Sequence, residues 1–350
     1  MRGVLDIPDS LAPVQEALAL GLARVEERFD RQLESDIPPV SALCKHIERY
    51  RGKMLRPTLV LLIGLAAHPD TSKAATEGPE ALAKLWTDEH VGLAAVVEMV
   101  HMATLVHDDV LDEAEVRRRG TTVNRLTDNE TAVILGDYLI ASAYHLCSTV
   151  ESREASLAVG DTAMVMCAGE LLQLHHRGDW SLDEPTYFEI VKRKTAALIG
   201  LAAALGAASS GAGDESESAA RSFGETIGIA FQIQDDLLDL TGEEATVGKS
   251  VRRDLAKGKL TLPLVHALAA AEPSDRGRLL RLIESAEGEP SAEDEAELLG
   301  LLRRLGSVES AVATARRLVA DALPGLERFP ETPAREMLRL AAESVVARTF

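Results

Sequence analysis

Hydrophobic positions in this chain recur at three- and four-residue steps. Val14, Leu18, Leu22 and Val25 share one stripe, so residues 12–34 read as an amphipathic helix. The pair Pro38–Pro39 marks a break. Residues 54–67 are apolar on most faces, the pattern of a buried helix, and 68–71, with Pro69, interrupt it. A long helix is expected over 88–113, with Leu93, Val96, Val97, Val100, Thr104 and Leu111 turned inward. Further helices are expected over 130–150, 155–176 and 219–240. Residues 198–206 are apolar and small but too few to cross a bilayer, and read as a buried helix. Segments 211–218 and 284–295 combine acidic residues with Gly, Ser or Pro and read as surface loops. Two or three amphipathic helices close the chain. No period-two alternation stands out. The pattern predicts an all-α fold in a single domain over 1–350, with 1–30 as a peripheral N-terminal segment.

Composition supports helices. Hydrophobic residues make up 46% of the 350 positions and aromatics only 3%, so the core is built of Ala, Leu and Val, two of them strong helix formers. The formal net charge of −19 sets the general surface against phosphate backbones, and nucleic-acid binding is not expected. No apolar run follows Arg2, and no uninterrupted apolar stretch reaches the ~18 residues of a spanning helix, so neither a secretory leader nor a membrane anchor is expected. Cys44, Cys147 and Cys167 show no metal or disulfide spacing and read as buried thiols of a reducing cytoplasm.

Two acidic clusters carry the chemistry. Asp108-Asp109-Val110-Leu111-Asp112 and Asp235-Asp236-Leu237-Leu238-Asp239 both spell D-D-x-x-D, and each follows an apolar run. On a helix, positions i and i+4 share a face with i+1 beside them, so three carboxylates are expected on one patch. Like charges this close destabilise a helix unless a cation neutralises them. Magnesium prefers carboxylate oxygens and is readily shared with substrate phosphates. One such cluster alone is as readily a solvated acidic face. Two of them, each ending a buried helix, are not.

Three basic islands interrupt the acidic background. They are Gly52-Lys53-Met54-Leu55-Arg56-Pro57, Arg117-Arg118-Arg119, and the set Lys249, Arg252, Arg253, Lys257 and Lys259. Each alone is as well explained by surface ion pairs. Beside two acidic stations, they suit a second diphosphate held by side chains, with Arg giving bidentate contacts. His101, two helical turns before Asp108, lies on the same face. Alone it reads as a core histidine, and here as a phosphate donor.

This ordered set resembles the trans-isoprenyl diphosphate synthases, the polyprenyl synthetase family, from about residue 30 to 348, and its medium- and long-chain members in particular. HDDVLDEAEVRR is similar to the family's first aspartate-rich motif and FQIQDDLLD to its second. GKMLRP is similar to G-K-x-x-R-P. GDYL (136–139), GELLQL (169–174), KTAALIG (194–200) and GKSVRRDLAKGKLTLPL (248–264) follow in the family's order. Two departures are present: Arg119 stands where R-R-G has glycine, and Arg253 where a glycine commonly precedes D-L.

The resemblance implies a bundle of roughly ten or more helices around an apolar cavity. It implies magnesium, a cluster of about three ions shared with substrate phosphates, and condensation of isopentenyl diphosphate with farnesyl or geranylgeranyl diphosphate. Asp108, Asp109, Asp112 and Asp235 would hold the metals, with Asp236 and Asp239 supporting that site. Arg117, Lys194, Lys249 and Lys259 would contact the allylic diphosphate. Gly52, Lys53, Arg56, His101 and Arg118 would bind isopentenyl diphosphate. Thr195 and Gln232 would flank the reacting carbons. A homodimer is implied, with residues 131–150 as a candidate contact, and a long product suits transient membrane association at release. In the family, bulk just before the first motif blocks the growing chain. Ala103 and Thr104 are small, with Met99, Val100 and Val96 deeper, so a product beyond fifteen carbons is expected. Geranylgeranyl diphosphate synthase is the alternative. A class I terpene cyclase would not need the Lys53, Arg56 and His101 island. A non-catalytic synthase subunit typically lacks one aspartate station.

Overall fold

The computed structural model describes residues 8–118, 120–241, 253–286 and 291–347. Helices dominate throughout. In chain order they are α1 (Ala12–Gln32), α2 (Pro38–Ile47), α3 (Leu55–Ala67), α4 (Thr71–Glu77), α5 (Pro79–Ala83), α6 (Asp88–Leu111), α7 (Val123–Leu126), α8 (Asn129–Ser148), α9 (Arg153–His175), α10 (Glu184–Val191), α11 (Ala197–Ser209), α12 (Asp214–Thr241), α13 (Arg253–Ala256), α14 (Leu262–Ala270), α15 (Pro273–Ala286), α16 (Ala292–Arg304), α17 (Ser307–Ala322) and α18 (Pro333–Val345). One two-residue hairpin, β1 (Val116–Arg117) with β2 (Gly120–Thr121), follows α6. The all-α expectation holds. The chain's packing divides into two compact units: Met1–Ala163, Leu198–Gly224 and Gly325–Ala341, and Met164–Ala197, Glu225–Pro324 and Ala342–Phe350.

In the first unit α6 is the central element. It packs on α8, α3 and α1, and from Val91 to Val106 almost every side chain is buried. Such a helix has no solvent face to keep polar, which is why its sequence is apolar all round. Its start is fixed by a capping box: the Thr87 hydroxyl accepts from the His90 N–H at 3.4 Å, and His90 Nδ1 accepts from the Thr87 N–H at 3.3 Å. The Ser210 hydroxyl donates to the Gly64 carbonyl at 2.8 Å, so His90 Nε2 donates to Ser210 at 2.9 Å. Burial holds His90 down to about 4, and it is neutral in the fold. Gly206 passes close to α3, where a Cβ would strike the Val60 carbonyl. The segment expected to be peripheral is integral from Leu11 onward. Val14, Ala17 and Val25 have no exposed surface, because α1 lays that stripe on α3, α5 and α6.

The second unit has its own core. Ile233, Leu237 and Leu240 of α12 pack with Ile190 and Val191 of α10, Leu264, Val265 and Leu268 of α14, and Leu279, Ile283, Leu298 and Leu302 of α15 and α16. Burying each such side chain contributes about 1.5–3 kcal/mol.

Two expectations need correction, those for the acidic segments and for Cys167. Segments 211–218 and 284–295 are not loops throughout: α12 begins at Asp214 and α16 at Ala292, with Ser291 as N-cap. Asp214, Glu215 and Glu217, and likewise Glu293, Asp294 and Glu295, sit in first turns, where carboxylates complement the helix dipole. Two helices are long and apolar enough to cross a membrane, Asp88–Leu111 and Arg153–His175. The first is the buried α6. Cys167 is exposed on α9, whereas Cys44 and Cys147 are buried thiols.

Candidate functional site: two aspartate stations and a basic island

The first station ends α6. Asp108 and Asp112 lie half-buried on successive turns, and Asp112 closes the helix with its N–H on the Asp108 carbonyl at 2.8 Å. Asp109 is turned inward and is 1% exposed. The sequence geometry placed all three carboxylates on one patch; a 100° step per residue instead carries Asp109 round into the core. There Arg117 holds it, with Nε and Nη2 both 2.8 Å from Oδ1. Oδ2 is buried without a hydrogen-bond partner. Burial raises the Asp109 carboxyl and Arg117 pulls it back. Three carboxylates at a helix C-terminus also oppose the helix dipole. The chain gives up stability here, and a cation would recover it.

Arg117 is delivered by the hairpin, in which it pairs with Gly120. Arg118 takes a left-handed φ of 47°, a conformation a two-residue hairpin turn demands. Arg119, the departure from R-R-G, lies outside the described residues. The Arg118 guanidinium donates to the Tyr50 carbonyl, and Gly52 lacks the Cβ that would collide with it. The islands at 52–57 and 117–118 therefore come together, with exposed Lys53 and half-buried Arg56 on the first of them. Burial, then Arg56, Arg118 and Arg117, push His101 well below its ordinary value, which favours its neutral form. Sequence reasoning missed Glu98. It is 3% exposed, and it is the one charged residue of the run 91–106. Burial raises its carboxyl, while Arg56, Arg118 and Arg51 lower it. It lies within electrostatic reach of the basic island, three residues before His101. That lone acid in an apolar run was the available signal.

The second station lies near the end of α12. Asp235 is exposed and Asp239 half-buried, and Asp239 accepts the Asp254 N–H at 3.3 Å. Asp236 is turned inward, as Asp109 is. Its Oδ2 accepts from the Tyr187 hydroxyl at 2.7 Å and its Oδ1 from Gln232 Nε2 at 2.8 Å. Burial pushes Asp236 well above the carboxylate range and Asp254 adds to that. Asp236 thus supports the station from within.

Thr195 and Gln232 are brought together: the Thr195 hydroxyl donates to Gln232 Oε1 at 2.9 Å. A single π turn, Lys192–Ala196, interrupts the run from α10 to α11 and carries Lys194 and Thr195. Lys194 bridges to Glu170 and donates to Gln173 Oε1 at 2.9 Å, both from the GELLQL segment of α9. Gly169 permits that approach, since a Cβ there would lie 2.6 Å from Arg193 Cβ. Lys194, Thr195, Gln232, Asp236 and Lys259 line a cavity of about 110 Å³. Lys249 falls outside the described residues. Of the residues expected to set product length, Val96, Met99 and Ala103 have no exposed surface and Val100 is 4% exposed. Thr104 is half-buried, and its hydroxyl is satisfied by the His101 carbonyl at 2.7 Å.

These residues fit magnesium by donor chemistry. Both stations offer hard carboxylate oxygens, and the first adds an orphaned buried one on Asp109. Among the described residues no three acidic, histidine or cysteine groups are already grouped to hold an ion by themselves.

Comparison with known proteins identifies the chain's relatives. The polyprenyl synthetase family model matches residues 38–299. The chain is 32% identical to heptaprenyl diphosphate synthase component 2 of Bacillus subtilis, over 93% of this chain and 87% of that protein. It is also 32% identical to octaprenyl diphosphate synthase of Escherichia coli, over 97% and 99%. Its fold superposes on a decaprenyl diphosphate synthase from Rhodobacter capsulatus with a TM-score of 0.85 and 32% identity, over 98% and 99% of the two chains. The chain belongs to the polyprenyl synthetase family. It is a prenyltransferase, a trans-isoprenyl diphosphate synthase.

Proposed function

We propose that the chain extends farnesyl or geranylgeranyl diphosphate with isopentenyl diphosphate to a product of about thirty carbons or more, in a cavity that keeps water from the carbocation. The observation that carries this reading is the repeated partition of the two stations. In each, the first and last aspartates remain accessible at a helix end while the middle one is buried and held by hydrogen bonds. Asp108, Asp112 and Asp235 then ligate magnesium, about three ions shared with the allylic diphosphate. Asp109 adds its Oδ2, and Asp236 and Asp239 support. Bound magnesium neutralises the diphosphate oxygens and stabilises the charge of the leaving group.

The protein's own groups do the rest. Arg117, Lys194 and Lys259, with Lys249, bind the allylic diphosphate. Gly52, Lys53, Arg56, Arg118 and neutral His101 bind isopentenyl diphosphate, with Glu98 holding the arginines in place. Thr195 and Gln232 turn oxygen dipoles toward the reacting carbons, where they stabilise positive charge. The departing diphosphate accepts the proton released after condensation.

A homodimer is supported by α9. Leu157, Met164 and Leu171, spaced seven residues apart, are 55%, 66% and 67% exposed. Ile134 of α8, in the segment expected at the contact, is 66% exposed. We place the protein in the cytoplasm, consistent with three unpaired thiols, with transient membrane contact as the long product leaves.

The test is purified protein with magnesium, labelled isopentenyl diphosphate and farnesyl diphosphate, with chromatography of the extracted prenols. Linear prenols beyond C15 support the reading, and a geranylgeranyl end product would shorten it. Cyclic hydrocarbon would contradict it. The Bacillus relative is named as one component of its synthase, which favours a second reading: turnover only when another chain is added.

A further inference from the structure

The polar chain behind the second station has a direction, and a residue outside the sequence motifs sets it. Asp236 is 5% exposed and Tyr187 3% exposed. The Tyr187 hydroxyl donates to Asp236 Oδ2 at 2.7 Å. Gln232 donates its NH₂ to Asp236 Oδ1, at 2.8 Å, which turns Oε1 toward Thr195. Thr195 must then spend its one proton on Gln232, at 2.9 Å. Its lone pairs are left to accept or to face positive charge. Reversing any link would turn an N–H or O–H toward the reacting carbons. That would destabilise a cation there.

We propose that Tyr187 is a positioning residue: by donating to Asp236 it fixes the polarity of the chain Tyr187–Asp236–Gln232–Thr195, so that Thr195 and Gln232 present oxygen to the reacting carbons. This rests on the reading that Thr195 and Gln232 flank those carbons. Tyr187 is well placed to hold its end still. Its ring is buried in the core of the second unit and meets Phe188 edge-on at 5.6 Å. Its hydroxyl shares the 110 Å³ cavity with Thr195, Gln232, Lys194 and Lys259. The residue lies on α10, just before the π turn that carries Thr195.

The experiment measures kcat, the KM for isopentenyl diphosphate and the magnesium half-saturation of the full chain as wild type, Tyr187→Phe, Thr195→Val and the double variant. Tyr187→Phe removes one oxygen and keeps the ring, and its melting curve checks that the fold is retained. It should lower kcat about tenfold, as losing a supporting partner typically does. KM and magnesium half-saturation should stay within about twofold, well inside that effect. The double variant should be no slower than Thr195→Val alone, because both act through one group. Wild-type kcat in Tyr187→Phe, beside a slow Thr195→Val, overturns the inference and leaves the reading of the site intact. So does a defect that multiplies with that of Thr195→Val. A shift in magnesium half-saturation with unchanged kcat assigns Tyr187 to metal binding and also overturns it. Wild-type kcat in Thr195→Val overturns the underlying reading, and the inference with it.

Discussion

The two aspartate stations are spelled alike and packed differently. In the first, the buried Asp109 is paired with a cation, Arg117, and keeps one orphaned oxygen. In the second, the buried Asp236 has two neutral donors, Tyr187 and Gln232, and a nearby acid, Asp254. Burial raises both carboxyls. Only the first is offset by a full positive charge. The buried aspartate of the first station is therefore held by a cation, whereas that of the second is held by neutral donors. Identical motifs thus expose the same pair of aspartates while burying the middle one in different surroundings.

The largest expected effect is on turnover. Asp108→Asn and Asp235→Asn each remove an accessible ligand and should lower kcat by about 10²–10³, the scale of losing one preorganised electrostatic contact. Steady-state assays at saturating substrate measure this, and a variant near wild type would remove its station from the chemistry. Chelation of magnesium should abolish turnover in the wild type.

Stability separates the stations further. Asp109→Asn strands Arg117 and should cost about 3 kcal/mol, the scale of breaking a buried ion pair. Asp236→Asn strands no cation, so its cost should stay near the ~1 kcal/mol of one lost hydrogen bond. Thermal melting of the two variants without metal compares them, and equal destabilisation would erase the distinction.

Acid gives the background for that comparison. The His90 pKa is held from 6.5 down to about 4, so its neutral form is favoured by the fold. Its contribution is intact above pH 6.5 and is lost as pH falls toward 4, up to about 3 kcal/mol at ~1.4 kcal/mol per unit. His90→Gln keeps an N3 capping side chain and should flatten this part of the stability–pH curve.

Product length is the smallest energetic effect. Thr104→Phe should shorten the product distribution, because Thr104 alone of the five residues reaches open space to a sizeable degree. Ala103→Phe should instead overpack α6 and lower stability by about 1–3 kcal/mol. Shortening by Ala103→Phe in a stable protein would move the chain's path to that side of the helix.

The sequence made some of this legible and not the rest, for physical reasons. Helices with a continuous apolar stripe, such as α1, α6 and α8, were readable because burial dictates their spacing. The starts of α12 and α16 were not, because acidic first turns look like solvated loops when read by composition. The motif aspartates, Lys194, Thr195 and Gln232 were visible as ordered motifs. Tyr187 was not, since it matters through a partner distant in sequence. Nor does the residue pattern reveal the π turn at Lys192–Ala196 or the inward rotation of Asp109 and Asp236, which packing decides.

The central claim is that both stations hold one allylic diphosphate through magnesium. The direct measurement is calorimetric binding of a non-ionisable thio analogue of farnesyl diphosphate to wild type, Asp108→Asn and Asp235→Asn, with and without magnesium. The account predicts magnesium-dependent binding in the wild type, its loss in both variants, and unchanged affinity for isopentenyl diphosphate. Wild-type, magnesium-dependent affinity in either variant would contradict it.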